Sequence, residues 1–510
     1  MPFWPRLLPL PAALATLFAA FAPSAHSQSL IELYDAARGY DASYQGARAQ
    51  YDASVARAAQ AKAGILPAVG LSAGAGRNML DINVIDGGQG SAARNFNTQN
   101  VGINATQPLY RPANWATYEQ GLVQADIAQA VLTTADQDLI VRVSQAYFDV
   151  LASQDSLALV RAQKVAVAEQ LASAKRNFEV GTSTITDSRE AQARYDLVIA
   201  QEIAAENDLQ VRKIVLDQLV GRPGSAPTPL AAPVVLPTAM PADINAWVLQ
   251  AEAVHPAIRQ ARLAVDVAGL EVQKAEAGHK PTLDANRGDN GTRNPAGTNT
   301  NTVGTRINAA TIGVVFNLPL FAGFATENRI KETLALEEQS KQQLEFTRRN
   351  VSQTTRSAYL GLVSGAGQVK ALEAAESSSQ SALDANRLGY QVGVRINIDV
   401  LNSQSQLYQT KRDLAQARYN VLLGNLKLRQ ANGTLTADDL LAINSTLAAP
   451  GSAAATASPT APSAATQSPV PVAPTPSIVV PPVQVQPFNP TPPVIPTAPP
   501  APPVINPPGR

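Results

Sequence analysis

The sequence predicts a mixed fold in which long coiled-coil helices join short amphipathic strands, with the whole plan laid out twice along one chain. Two very long helical stretches, from 114 to about 179 and from 325 to about 391, carry apolar residues in a heptad pattern. Four strand-like segments alternate apolar with small or polar side chains. Residues that mark the ends of these elements recur at a nearly constant distance along the sequence, which indicates an internal duplication.

The duplication divides the body of the chain. We predict a first repeat over 28–221, a Pro-rich linker over 222–243 and a second repeat over 244–447. So many matched residues in one order are not expected by chance. The matches that lie 212 positions apart pair Val180-Gly181, Asp187 and Gly221 with Val392-Gly393, Asp399 and Gly433.

Each repeat contains the same parts in the same order. A helical stretch comes first, over 30–63 or 244–277, and a glycine follows it as a stop signal. Two strands and the very long helix come next. A Val-Gly break then precedes a shorter helix, predicted over 187–220 and 399–432.

The long helices carry an apolar seam that alternates by four and three residues, and a second seam beside it predicts packing on both sides. About 70 residues at ~1.5 Å each form a rod of roughly 100 Å, which two helices of about 35 residues stacked end to end would match. The first seam comprises Leu139, Val143, Ala146, Val150, Ser153, Leu157, Val160, Lys164, Val167, Leu171, Ala174 and Phe178. Its copy comprises Val351, Thr355, Ala358, Leu362, Gly365, Val369, Leu372, Glu376, Ser379, Leu383, Asn386 and Tyr390. The second seam comprises Ile140, Tyr147, Leu151, Ala158 and Val165.

The strands have one apolar face, as transmembrane barrel strands do, and only the third, near 282–287, is weak. Four strands cannot close a barrel, since the smallest known barrels have eight, so the sequence predicts an oligomer if they span a membrane. A periplasmic or surface coiled-coil stalk is the alternative, but it leaves the four strands unexplained. The apolar positions are Val69, Leu71, Ala73 and Ala75, then Val101, Ile103 and Ala105, then Ile312, Val314, Phe316 and Leu318.

The first 27 residues have the composition of a signal peptide. Arg6 supplies a positive region, residues 7–21 an apolar run, and Ala25-His26-Ser27 a cleavage site of the small-x-small kind. The apolar run is shorter than the ~18 residues that a spanning helix needs, which disfavours the alternative of a short N-terminal anchor.

The other end of the chain, 448–510, consists mainly of Pro, Ala, Val, Ser and Thr with almost no charge. Such a segment cannot bury a core, so we expect a disordered or polyproline tail. A ligand for a partner protein is the alternative.

Composition excludes several function classes. Lys+Arg and Asp+Glu both number 40, so no overall field attracts nucleic acid. The chain lacks cysteine, which rules out disulfides and thiolate metal sites. No nucleophile elbow, P-loop or cluster of metal ligands is present, so we expect neither an enzyme nor a cofactor. His255 and His279 are expected to be surface or packing residues.

Several motifs together resemble the TolC-type outer-membrane efflux and type I secretion channel family, over nearly all of 28–447. The resemblance implies a homotrimer with a 12-stranded transmembrane β-barrel that continues into a helical periplasmic tunnel. Two turns into the long helices carry it, Gln107-Pro108-Leu109-Tyr110 and Leu318-Pro319-Leu320-Phe321. So do Gly389-Tyr390-Gln391-Val392-Gly393, Ile398-Asp399-Val400-Leu401, Ala417-Arg418-Tyr419-Asn420, Asn432-Gly433-Thr434-Leu435 and Asp438-Asp439-Leu440-Leu441.

The resemblance also implies location and partners. The protein would sit in the outer membrane, in contact with its lipid, and extend into the periplasm. It would provide the exit duct of a tripartite system, docking onto a periplasmic adaptor and an inner-membrane ABC or proton-driven transporter.

The family narrows its tunnel at the periplasmic tip, and the resemblance places a pore constriction at Asp399 and Asn402. In a trimer one pore-facing Asp becomes a ring of three carboxylates, which attracts cations. The second ring position is usually Asp in the family, but here it is Asn402. A plain helix N-cap is the alternative for Asp187 and Asp399. The residues that match the contacts holding the family's tip shut are Thr186, Asp187, Tyr390 and Arg395.

Aromatic residues follow the second strand, where the resemblance places the join between barrel and tunnel. Tyr110, Trp115 and Tyr118 could form part of an interfacial girdle. Ordinary packing is the equal alternative.

Overall fold

A computed structural model of the chain describes residues 28–82, 92–231, 234, 236–298, 301–445 and 447. The predicted signal peptide, 1–27, and the predicted tail, 448–510, lie outside the described residues.

The described elements come in the same order twice. The first copy contains α1 Leu30–Tyr40, α2 Ala42–Lys62, β1 Ala68–Ile82, β2 Ala92–Tyr110, α3 Pro112–Glu179 and α4 Ile185–Val220. The second copy contains α5 Ile244–Val254, α6 Pro256–Glu276, β3 Thr282–Asn294, β4 Thr305–Asn317, α7 Ala325–Gln391 and α8 Asn397–Asn432. A last helix that the sequence did not predict, α9, covers Ala437–Asn444.

The expectation of one continuous helix at the start of each repeat is wrong. Asp41 is extended and its carboxylate accepts from the Tyr44 backbone N–H at 2.8 Å, so it caps a new helix. In the second copy, His255 caps α6 through Nδ1, which accepts from the Ala257 N–H at 3.1 Å, and Pro256 occupies the first helical position. Burial lowers the pKa of His255.

The glycines expected to end these stretches lie instead inside short 3₁₀ turns. Gly64 falls within Ala63–Ile65 and Gly278 within Ala277–His279. Each turn delivers the chain from a helix to a strand of the sheet.

The four strands form one antiparallel sheet in the order β1-β2-β3-β4. The weak third strand is a full strand of 13 residues, because it is paired along its length to β2 and β4 on either side. The segment Gln107 to Tyr110 belongs to β2 rather than to a turn, with a register shift between Pro108 and Tyr110. Leu318, expected in the fourth strand, follows the end of β4.

The sheet has two chemically different faces, because residues paired across antiparallel strands lie on the same side. On the apolar face, Arg287 and Asp289 of β3 interrupt the pattern and pair with each other at 3.2 Å. The apolar face exposes Val69, Leu71, Val101, Ile103, Ile312, Val314 and Phe316. The opposite face carries Gly70, Ser72, Gly102, Asn104, Asn286, Gly288 and Gly313.

Each very long helix packs against two shorter ones. Arg142 of α3 forms an ion pair at 2.9 Å with Asp41, the N-cap of α2. Asp149 of α3 forms another at 3.1 Å with Arg212 of α4. Of these two shorter helices, α2 has 21 residues and α4 has 36. The prediction that both would have about 35 residues is therefore wrong for α2. The break at Asp41 is the reason, since it assigns the first 11 residues to α1.

The heptad seam of α3 is buried at every predicted position except Lys164 and Phe178. Its copy on α7 buries Val351, Thr355, Leu362, Val369 and Leu383. The second seam is buried at Ile140, Tyr147 and Leu151 but exposed at Ala158 and Val165. Two-sided packing therefore holds within one chain only along the first part of α3.

The largest apolar cluster joins both repeats, with α1, α3, α8 and α9 contributing. The linker also contacts both ends of the described chain. Pro227 forms an isolated β-bridge with Gln28, and Leu230 forms one with Leu447. Within the described ranges, no helix is long and apolar enough to span a membrane.

Candidate functional site

The two Val-Gly breaks form matching turns between a long helix and a shorter one. Gly181 has φ +77° and Gly393 has φ +79°, in the left-handed region that side chains disfavour. Each glycine donates its N–H back into the helix that it ends, to Phe178 O at 3.0 Å and to Tyr390 O at 3.1 Å. The glycines therefore stop α3 and α7 and allow the chain to reverse.

Asp187 belongs to a capping box rather than serving as the N-cap. Thr184 is the N-cap of α4, and Asp187 is the third helical residue. The Asp187 carboxylate accepts from the Ser183 hydroxyl at 2.6 Å and from the Thr184 N–H at 3.1 Å. The hydrogen bond from Ser183 holds the pKa of Asp187 below its ordinary value.

Asp399 is not an N-cap either, because α8 begins two residues earlier than predicted. Ile396 occupies the N-cap and has no side chain that could cap. The Asp399 carboxylate lies 3.7 Å from the Arg395 guanidinium, and its side chain is 33% exposed. The Asp399 carboxylate therefore does not cap α8, and it is partly accessible to solvent.

Asn402 lies three residues further on α8 and is exposed. Its side-chain oxygen accepts from Arg194 of α4 at 2.8 Å. A carboxylate at this position would therefore meet a guanidinium directly.

A polar network ties the two turns together. Tyr390 of α7 accepts through its hydroxyl from Asn177 of α3 at 3.2 Å. Asn397, which is fully buried, donates to the Asp187 backbone carbonyl at 3.3 Å and accepts from Gln170 of α3. This network joins α3, α4, α7 and α8 at their ends.

A groove of about 780 Å³ lies between the turns. It brings Asp187, Tyr390 and Arg395 together, whereas Thr186 is exposed and does not line it. Asn402 lines a neighbouring groove of about 400 Å³ with Arg194. No metal-binding group of three or more His, Cys, Asp or Glu occurs within the described ranges.

Sequence reasoning missed the partners Asn177, Gln170, Asn397 and Arg194. Each acts across more than 200 positions of sequence, so no local pattern indicates it. A signal existed only for Asn397, a polar residue that opens a helix directly after a predicted break.

A second missed contact joins sheet and helices. Arg111, the residue before α3, donates to both oxygens of Asp284 on β3, at 2.7 and 2.5 Å. Nearby on α3, Trp115 and Tyr118 make an edge-to-face contact with ring centroids 6.4 Å apart. The two parallel hydrogen bonds between Arg111 and Asp284 hold the start of α3 in a defined orientation relative to the sheet.

Comparison with known proteins identifies the family to which this chain belongs. The model of the family described as outer membrane efflux protein matches residues 33–222 and 247–434. The outer membrane protein TolC of Vibrio cholerae is 34% identical over 441 residues, covering 86% of this chain and 98% of that protein. The alkaline protease secretion protein AprF of Pseudomonas aeruginosa is 30% identical, covering 82% and 86%.

Solved structures show the same fold at lower identity. The outer membrane protein VceC of Vibrio cholerae superposes with a TM-score of 0.67 at 19% identity, covering 79% of this chain and 96% of that one. The CmeC outer membrane channel of Campylobacter jejuni superposes with a TM-score of 0.68 at 15% identity, covering 82% and 89%.

Proposed function

Because the chain belongs to the outer membrane efflux protein family, whose members are outer-membrane channel proteins and not enzymes, we propose that three copies close one 12-stranded barrel. The observation that carries this proposal is the sheet itself. Among the described residues, its outer strands, β1 and β4, each pair on one side only. An open sheet edge is not tolerated in lipid, and four strands are too few to close.

The length of the helices supports a duct that continues beyond the membrane. With 68 and 67 residues, α3 and α7 each measure roughly 100 Å at about 1.5 Å per residue. That is about three times the ~30 Å hydrocarbon thickness. A stalk without a channel would leave the amphipathic sheet without a role.

The duct serves export, in efflux or type I secretion, and works with a periplasmic adaptor and an inner-membrane ABC or proton-driven transporter. Two relatives carry export in their names, the protease secretion protein AprF and the outer membrane efflux protein BepC of Brucella suis. Exposed apolar side chains at the helix turns, Val180, Val392 and Val394, offer a surface to such an adaptor.

The turns form the gate of this duct. Asp399 and Asn402 line the constriction, and Tyr390, Arg395, Asp187 and Thr186 hold it shut. The hydrogen bond between Tyr390 and Asn177 supports this role, because it ties the ends of the two long helices to each other.

Assembly and conductance test the proposal together. Analytical ultracentrifugation in detergent should give the mass of three chains, and the same sample should conduct ions in planar bilayers. A monomer that keeps its full secondary structure by circular dichroism would contradict the proposal.

A further inference from the structure

Two arginines face each other directly across neighbouring strands of the sheet. The register pairs Arg293 of β3 with Arg306 of β4, and both side chains are exposed. Directly paired residues lie on the same face with Cβ atoms about 5 Å apart, where like charges repel. The arrangement costs stability unless an anion lies between the two guanidinium groups.

No acid of the described residues forms an ion pair with either arginine. The closest carboxylate along β3 on this face, Asp289, is four residues from Arg293 and is held by Arg287. Asp81, on the same face of β1, lies six residues beyond the Arg293 row, roughly 20 Å along the strand. Within the described residues, no carboxylate therefore balances the two charges.

The extent of the apolar side chains on this face indicates the depth of Arg293 and Arg306 relative to a membrane. Leu283, paired with Phe316, lies at the end of the sheet next to the helices, and Arg293 lies ten residues further along β3. Ten residues at about 3.4 Å, tilted by roughly 45°, rise about 25 Å, which is the height of the apolar band of a barrel. The arginine row then lies at the outer edge of that band, away from the long helices.

We propose that Arg293 and Arg306 bind the phosphate of a lipid headgroup in the outer leaflet. Guanidinium groups bind phosphate with paired N–H donors, and one phosphate between them removes the repulsion. Gln99 completes the row on β2 as a third polar neighbour. Gly291, in the row below on β3, has no side chain of its own. The Oδ1 atom of Asn308, its partner on β4, lies within ordinary contact distance of that position, and Val101 beside it on β2 is apolar. This inference rests on the proposed barrel, whose apolar face meets lipid.

The test compares full-length protein in nanodiscs that contain phosphatidylcholine and either bisphosphorylated lipid A or lipid A with its phosphates removed. Native mass spectrometry measures the lipid that is retained. Wild type should prefer the phosphorylated form at least tenfold, roughly the effect of one charge-assisted hydrogen bond. The double variant Arg293→Gln with Arg306→Gln should lose this preference.

Arg77→Gln is the matched control. Arg77 lies on the same face one row further out, but its partner across the strands is Asn97. Its replacement should change the preference by less than about twofold, since no like-charged partner is present. In phosphatidylcholine nanodiscs that lack lipid A, the double variant should unfold at the same or a higher temperature than wild type, because the repulsion between the two arginines is gone.

Three outcomes overturn the inference. The double variant could keep the wild-type preference, Arg77→Gln could abolish it as fully, or inorganic phosphate alone could bind the arginines in lipid-free detergent as tightly as lipid A. Conductance of the same protein preparations in planar bilayers separates the two proposals. A wild type that conducts but shows no phosphate preference contradicts this inference alone, whereas a wild type that never conducts contradicts the barrel.

Discussion

The two candidate constriction residues, Asp399 and Asn402, lie about one helical turn apart on α8 but have different surroundings. The Asp399 carboxylate forms an ion pair at 3.7 Å with Arg395, which lies in the turn just before α8. The Asn402 amide is held by Arg194 of another helix. A charge at the two positions would therefore have different effects on passing ions.

Replacing Asp399 by Ala should weaken cation preference, because three carboxylates are lost from a trimer. Replacing Asn402 by Asp should strengthen the preference only slightly, since Arg194 would neutralise the new carboxylate. The double variant Asn402→Asp with Arg194→Ala should strengthen it clearly. Reversal potentials in planar bilayers under a KCl gradient measure each change.

Arg194→Ala alone is the control for that series, because it removes the guanidinium without adding a carboxylate. If Asp399→Ala and the double variant both leave the reversal potential unchanged while the trimer stays folded, Asp399 and Asn402 do not face the ion path.

Tyr390→Phe should open the gate more often. The change removes the hydroxyl that accepts from Asn177, a hydrogen bond of about 1 kcal/mol in each protomer, and so favours release of each protomer's contact roughly fivefold. Single-channel open probability measures the effect.

Tyr359→Phe provides a matched control on the same helix, because the Tyr359 hydroxyl donates to the Ala242 carbonyl, far along α7 from the turns. An equal rise in open probability for both variants would show that the loss of any tyrosine hydroxyl on α7 has this effect.

At the scale of elements, the two short helices that follow the breaks begin differently. The start of α4 has a full capping box, whereas the start of α8 has no side-chain cap. Capping contributes about 1 kcal/mol to the first turn. We therefore expect α8 to be the more easily displaced of the pair.

The start of α4 should loosen in acid. The folded pKa of Asp187 is depressed, so its contribution is fully present above the unfolded value, near 4, and is lost as pH falls through the folded value. Amide exchange, corrected for the intrinsic rate at each pH, should show weaker protection of the first turn of α4 at pH 2 than at pH 7.

The first turn of α8 is the internal control for this measurement, since no capping box is present there. An equal loss of protection at both starts would mean that acid weakens the whole tip. Asp187→Asn should reproduce the acid effect on α4 at pH 7.

The ends of the long helices could be predicted because glycines mark them, and α7 runs from Ala325 to Gln391 as expected. The breaks at Asp41 and His255 could not, because helical residues continue on both sides and only the cap geometry reveals the break. The third strand was weak because polar residues occupy both of its faces. At the candidate site, resemblance indicated Asp399 and Tyr390, but their partners depend on tertiary packing.

At the scale of the whole molecule, the chain should tolerate loss of its last segment. Deleting 448–510 should leave the trimer and its conductance intact, because the composition of this segment cannot support a core. Sedimentation and bilayer recording of the truncated protein measure both.

A longer deletion, 437–510, is the contrasting variant. It removes α9, whose Leu440 is fully buried, together with Leu447, which bridges to Leu230. Loss of a buried leucine side chain alone costs about 2–5 kcal/mol, so this variant should lose stability sharply. A trimer lost from the shorter deletion would show that the tail is structural.

The packing of α1 against α9 has a consequence for the order in which the chain folds. Leu30 and Leu33, near the beginning of the described chain, share one cluster with Leu440 and Ile443, more than 400 positions later. Contacts of such separation form late, since closing a long loop costs entropy before any contact offsets it. A chain that crosses the inner membrane N-terminus first would therefore wait, with its first core incomplete, until its last helix arrives. During that interval the exposed apolar surface of α1 would need protection from aggregation.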